Sequence, residues 1–300
     1  MRNKNKRRFY NFIKWLLPFI YLLIFSSQLN NKISSNNHNL LITLTTIENW
    51  DIDGIQNHKF NIIHSWGNAG DLNVHYYKRV MSKEGRNYFV SYPPLSFILI
   101  YPFLKCFPNY LYPFGFKIFG VLIHIITYLM LFCLFRKKSK FQQILGAASF
   151  LFFPASVVLS GMYYPEQLIL LLIVFFAIGL KNNWNKIWLG VLSFLMVYTD
   201  WLGYLIIVGF ITEFIVDKQK RCICPILIGA LFGSVLLFFQ YSSIAGIEGL
   251  IQGLKVRYLE RAGIFPEKYS DRGVNLISGE ALIYLKAHLV PAVLFSLIIM

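Results

Sequence analysis

Apolar runs long enough, or nearly long enough, to cross a bilayer recur along this chain, with basic clusters between them. A helix needs about 20 predominantly apolar residues to span the hydrocarbon core. Such runs cover Phe12 to Gln28, Ile118 to Phe135, Phe141 to Ser160, Gln167 to Leu180 and Pro225 to Tyr241, with two shorter halves, Ile187 to Tyr198 and Leu202 to Val216. Only 14% of the residues are charged, against about 25% in a soluble domain, so the chain lacks the means to hydrate a globular surface. That excludes an ordinary cytosolic protein and a disordered one. The net charge of +15 would suit a nucleic-acid partner only if position were ignored. Many of the bases punctuate the apolar runs as they do in membrane-protein loops, so no nucleic-acid partner is expected. The four cysteines lack zinc-finger or redox spacing: Cys106 and Cys133 lie in or beside apolar runs, and Cys222-Ile-Cys224 is not CxxC.

These runs predict an all-α polytopic membrane protein. Arg2, Lys4, Lys6, Arg7 and Arg8 place the N-terminal residues 1–11 in the cytoplasm. No small-x-small cleavage site follows the first run, so 12–28 is read as a retained transmembrane helix. Residues 29–91 then form a long extracytoplasmic acidic loop. The transmembrane bundle occupies 92–241 and opens with a re-entrant or interfacial helix at 92–107, short for a span and broken by Pro102 and Lys105. A second extracytoplasmic loop is expected at 242–288. The run 289–300 is too short to span and reads as the start of a further transmembrane helix, so the chain is expected to be C-terminally incomplete.

The acidic residues are distributed unevenly. Glu48, Asp51, Asp53, Asp71 and Glu84 fall in the first long loop, and Glu248, Glu260, Glu267, Asp271 and Glu280 in the second. Hydrated outer loops need no positive charge, which accounts for much of this bias. It does not account for two long loops beside connections of a few residues, and long ordered loops usually carry function. Within Glu48-Asn-Trp-Asp-Ile-Asp-Gly54, Asp51 and Asp53 flank one residue. They share a face if the segment is extended, or converge on one cation or hydroxyl in a turn. A carboxylate is a suitable general base for a sugar hydroxyl. The plain structural alternative is an Asx-type turn leading into Gly54.

An acid pair after the first span, followed by Tyr92-Pro-Pro-Leu-Ser-Phe opening a hydrophobic helix, resembles the GT-C glycosyltransferases. These polyprenyl-phosphate-sugar transferases include the dolichyl-phosphate-mannose enzymes and bacterial lipid A and envelope sugar transferases. Phe153-Pro154 with Tyr164-Pro165-Glu166-Gln167 is similar to the family's outer turn bearing Pro-Asp or Pro-Glu. Gly190 to Trp201 is similar to its helix ending in Thr-Lys, with Asp200 where many members have lysine. The resemblance covers most of residues 1–240 and lies in the order of these motifs. The family's usual C-terminal spans and soluble domain do not follow within the 300 residues.

The resemblance implies a GT-C-like transmembrane bundle and a hexosyl- or pentosyltransferase, mannosyltransferase-like, working on the extracytoplasmic face. The donor would be a polyprenyl-phosphate-linked sugar, and the acceptor a glycan, lipid or protein. The membrane would be the cell (plasma) membrane, or the endoplasmic reticulum in a eukaryote. The first-loop acid implied as general base is Asp51 or Asp53, with Asp51 first. Tyr92, Glu166 and Asp200 are implied at the substrate site. Charge developing on the departing phosphate needs cationic donors: Lys78 and Arg79 in the first loop, and Lys255, Arg257 and Arg261 in the second. Arg257 and Arg261 would share a helical face, and arginine meets phosphate bidentately; a helix lying at the headgroup surface would use them equally well. No cofactor is expected. His58, His64 and His75 share the loop with the aspartates, but their spacing fits no short metal motif. His124 inside a span reads as a hydrogen-bonded packing residue. The competing functional class is a transporter or flippase, which calls for internal repeats and ionisable residues along a path through the bilayer; a non-enzymatic scaffold comes third.

Overall fold

The computed structural model describes residues 2–29, 38–65, 80–82, 85–90, 92–153, 157, 161, 163–216 and 222–261. The described chain is mostly helical: α1 (Arg2–Leu29), α2 (His38–Asp53), α3 (Leu95–Leu104), α4 (Tyr112–Leu134), α5 (Lys140–Phe152), α6 (Pro165–Lys181), α7 (Lys186–Thr199), α8 (Leu202–Val216) and α9 (Ile223–Arg261). One antiparallel pair, β1 (Val80–Met81) and β2 (Asn87–Tyr88), lies between α2 and α3. Three stretches are long and apolar enough to cross a membrane: Arg8–Ser26, Asn109–Leu134 and Ile223–Lys255. Only 22% of the last window is buried by protein, so its exposed phenylalanines call for an apolar solvent, as lipid provides.

Local chemistry sets the helix ends. Ser139 and Gln142 form a reciprocal capping box at the start of α5. The Asn185 side chain accepts from Ile187 N–H to cap α7, and Pro165 opens α6 where a missing N–H does no harm. The main core runs through α4, α6, α7 and α9, with α3 and α8 beside it; α1, α4 and α5 enclose a smaller cluster around Tyr21, Tyr128 and Leu151. The closest seam joins α7 to α9. A Cβ placed on Gly229 would stand 2.0 Å from the Gly190 carbonyl oxygen, and one on Gly233 would press on Val197. This glycine pair four residues apart lets the two backbones touch, and Ser193 Oγ donates to Ile226 O at 2.8 Å across the contact.

Two sequence expectations change here. The segment read as the loop 29–91 contains α2, because Thr43, Ile47 and Trp50 recur at helical spacing and are buried. The Thr46 hydroxyl bonds both the N–H and the carbonyl of Ile63, tying that helix to the following strand-like segment. In place of a loop beginning at Ser242, α9 continues to Arg261 beyond a break at Gly246; the remainder of the second loop, and the run 289–300, lie outside the described residues. The 92–107 region does form a short helix. α3 has ten residues, about 15 Å, or half a bilayer core.

The helices give the bundle two chemically different ends. α2, its following turn and the β pair cover the end that holds the α7–α8 turn, strapped there by Trp201 Nε1–H to Val90 O and Tyr241 O–H to Phe89 O. Asn61 and Gln240 add reciprocal bonds, Asn61 Nδ2 to Gln240 O and Gln240 Nε2 to Lys59 O. The opposite end carries Arg136, Lys140 and Lys181, where Lys181 Nζ donates to Leu134 O.

Candidate functional site

Asp51 and Asp53 occupy the last turn of α2. The helix stops at Gly54, whose φ of +86° suits the left-handed cap that glycine adopts without steric penalty, and Gly54 N–H donates to Trp50 O at 3.0 Å. Trp50 anchors this turn, buried and donating its indole N–H to Asn61 O at 3.1 Å. Two residues along a helix turn through about 200°. The carboxylates therefore diverge, which corrects the expectation that they share a face or converge. Each has its own cation.

Asp53 Oδ2 accepts from the Arg86 guanidinium and from His58 Nε2, the latter at 3.2 Å. Because the Asp53 carboxylate can only accept, the Nε2 facing it carries the ring proton, which leaves Nδ1 to accept from the Tyr88 hydroxyl at 2.9 Å; the Arg86 guanidinium lies 3.3 Å from the same Nε2. Arg86 and Tyr88 arrive from the turn and strand of the β pair. The Arg86 hydrogen bond holds the Asp53 carboxyl below its ordinary value, with partial burial working the other way. Burial pushes the His58 imidazole below its ordinary value, opposed by its bond to Asp53. The ring is therefore neutral near pH 7, and its contact with Asp53 is a hydrogen bond between an ion and a neutral donor.

Asp51 faces α3. Its Oδ1 accepts from the Tyr101 hydroxyl at 2.9 Å, and its Oδ2 meets Lys105 Nζ at 2.8 Å. The Asp51 hydrogen bond raises the Lys105 ammonium above its ordinary value. Tyr101 is edge-on to Trp50, with centroids 5.4 Å apart, so the indole that anchors α2 also orients the phenol that binds Asp51. Lys105 keeps a 44% exposed side chain.

Tyr92 and Glu166, two further sequence candidates, come together: the Tyr92 hydroxyl donates to Glu166 Oε1 at 3.4 Å across 74 positions of sequence. Glu166 lies in the first turn of α6, where the helix dipole favours an anion. Asp200 is buried, and its Oδ1 accepts from Leu202 N–H at 2.7 Å, so it caps α8. Arg257 and Arg261 lie four apart on the helical backbone of α9, with their side chains outside what the structure describes. Lys78, Arg79 and His75 also lie outside the described residues. His64 stacks on Phe89 at 5.2 Å. Among the described residues no group of three His, Cys, Asp or Glu side chains is placed to hold a metal. His124 is buried in α4 and bonded to Leu151 O.

Sequence reasoning did not select Arg86, Tyr101 or Lys105. Lys105 left a signal, since a lone charge in an apolar run needs a partner. Arg86 left none, because its partner is 33 residues away. No protein-family model matches this chain, and no curated protein or solved structure matches it significantly.

Proposed function

We propose that the chain is a membrane glycosyltransferase, moving a sugar from a polyprenyl-phosphate donor to an acceptor hydroxyl at the acid-bearing end of the bundle. One observation carries the reading: the Asp51 carboxylate is set between a phenol and an ammonium, beside a helix half as long as the bilayer is thick. A lipid phosphate lies at the headgroup level, so its leaving-group charge develops where the bundle ends.

Asp51 is the base in this reading. A carboxylate has about four lone-pair sites, and Tyr101 and Lys105 occupy two of them, so an acceptor hydroxyl can still be bound. Its proton passes to Asp51 as the oxygen attacks the anomeric carbon, and the bond from that carbon to the phosphate oxygen breaks. The electron pair stays on the phosphate. Lys105, on a flexible and half-exposed stem, exchanges Asp51 for that phosphate when donor binds. Asp53 is a poorer base because Arg86 lowers its proton affinity. Its part is to hold the β pair against α2. The order of motifs shared with GT-C enzymes supports the reading independently of this geometry.

The test is mass spectrometry of lipid-linked and envelope glycans from cells carrying the natural gene, a deletion, Asp51→Asn or Asp53→Asn. Loss of one sugar in the deletion and in Asp51→Asn, with the variant protein still in the membrane, is the expected result. Loss in the deletion alone would move the base elsewhere or favour transport. Unchanged glycans in every strain would refute transferase chemistry for this chain.

A further inference from the structure

At the end of the bundle remote from Asp51, α1, α4 and α5 enclose a cavity of about 200 Å³ whose lining includes Lys14, Arg136, Lys140 and Gln143 on one side and Phe132 and Ile144 on the other. Among the described residues of this lining are three cations and no carboxylate. Lys14 lies within the apolar span of α1, its ammonium 5.4 Å from the Trp15 ring centroid and 5.5 Å from that of Phe132. Two aromatic faces offset part of its lost hydration, but like charges crowded at a low-dielectric boundary still favour an anion among them. Buried Gln143 donates to the carbonyls of Arg136 and Lys138, at 3.2 and 2.9 Å, and accepts from Lys140 Nζ at 3.1 Å, so one side chain fixes the connection that carries two of the cations.

A second, shallow and apolar depression runs along α1 past Phe12, Trp15 and Phe19, and Asn11 lines both. Those three rings are each more than half exposed. A hollow bearing three cations, suited to a phosphate, thus borders an apolar track suited to an acyl chain, with Asn11 common to both. We infer that this cavity binds the phosphodiester headgroup of an anionic glycerophospholipid, with an acyl chain along α1. The inference is independent of the transferase reading, because it uses the other end of the molecule.

Native mass spectrometry of the full chain, extracted from phosphatidylcholine vesicles with and without phosphatidylglycerol, would count the lipid retained. The natural sequence should keep phosphatidylglycerol in preference to phosphatidylcholine. Lys14→Gln with Arg136→Gln and Lys140→Gln should weaken that retention at least about tenfold, given the attraction each basic residue exerts on an anionic surface. Lys137→Gln with Lys138→Gln, neighbours outside the cavity lining, should leave it intact. Should the triple variant fail to fold, Arg136→Gln alone, on an exposed connection, should weaken it about fivefold. Equal loss in the control pair would reduce the site to diffuse surface charge and overturn the proposal. Displacement of the lipid by millimolar inorganic phosphate would also overturn it, in favour of a soluble phosphate ligand.

Discussion

The two ends of the bundle hold cations in opposite ways. At one, Arg86 and Lys105 each face an aspartate from the last turn of α2, and His58 and Tyr101 complete the hydrogen bonding. At the other, Lys14, Arg136 and Lys140 line a cavity with no acid among its described lining residues. At the first end each of these cations meets an acid of the chain, and in the proposed reaction Lys105 exchanges its acid for the donor phosphate. The second leaves its charge for something outside the chain to balance. The contrast also shows within one turn of α2: Asp53 binds an arginine and a buried imidazole, while Asp51 binds a lysine on a mobile stem.

The sharpest break of that comparison is Asp51→Asn. It removes the base while keeping size and the Tyr101 contact, and transfer should fall by about 10² to 10⁴, measured as turnover of a lipid-phosphate sugar in proteoliposomes; an equal fall in Asp53→Asn would erase the distinction between the two acids. Next in size, Asp53→Asn leaves Arg86 without its carboxylate, and should lower stability by about 1–2 kcal/mol, a partly buried pair being worth less than a fully buried one. A shift in the thermal midpoint reads it.

Acid should affect one end selectively. His58 has a folded value below its ordinary 6.5, so below that pH the unfolded chain takes up the proton first, and stability declines as pH drops toward the folded value. The Asp53 contribution is lost further down, as pH passes through its depressed carboxylate value. Hydrogen-exchange protection of the 54–65 segment, taken relative to the intrinsic rate at each pH, should therefore fall between pH 7 and 5, and His58→Gln should abolish that slope. The described lining of the cavity at the basic end has neither histidine nor carboxylate, so its lipid retention should be flat over the same range. The smallest effect belongs to Lys105→Gln, where loss of an exposed pair should change stability by less than about 1 kcal/mol and the difference should vanish in high salt; a large stability loss would mean that Lys105 holds the fold and is not free to meet a phosphate.

The length of the apolar runs made the spans at α1, α4 and α9 legible, along with the short helix after Tyr92-Pro-Pro, because a long apolar run in a weakly charged chain has few alternatives. The sequence also singled out Asp51 and Asp53, but it misread how they relate. Two acids around one isoleucine look alike in a strand, a turn or a helix, and only the burial of Ile47 and Trp50 against distant segments decides for a helix. Asp200 was legible as a short acid at a hairpin tip, standing where the resembled family has lysine, yet its capping bond to Leu202 N–H gives it a local structural duty. The ion pairs with Arg86 and Lys105 were hidden because their partners meet across more than thirty residues, and nothing local encodes such a meeting.

The interruption in α9 has a mechanical meaning. Gly246 sits at φ 72° and ψ 166°, a region that residues with a side chain essentially do not enter, and a methyl there would meet no atom within 4 Å. Space is not the obstacle; only the backbone is. One half of α9 is clamped to α7 through Gly229 and Gly233, while the other leans on the β pair through Gly253, whose added Cβ would reach Val80 at 2.6 Å. A single pair of torsions therefore aims a lever about 22 Å long, and its far end carries Arg257 and Arg261.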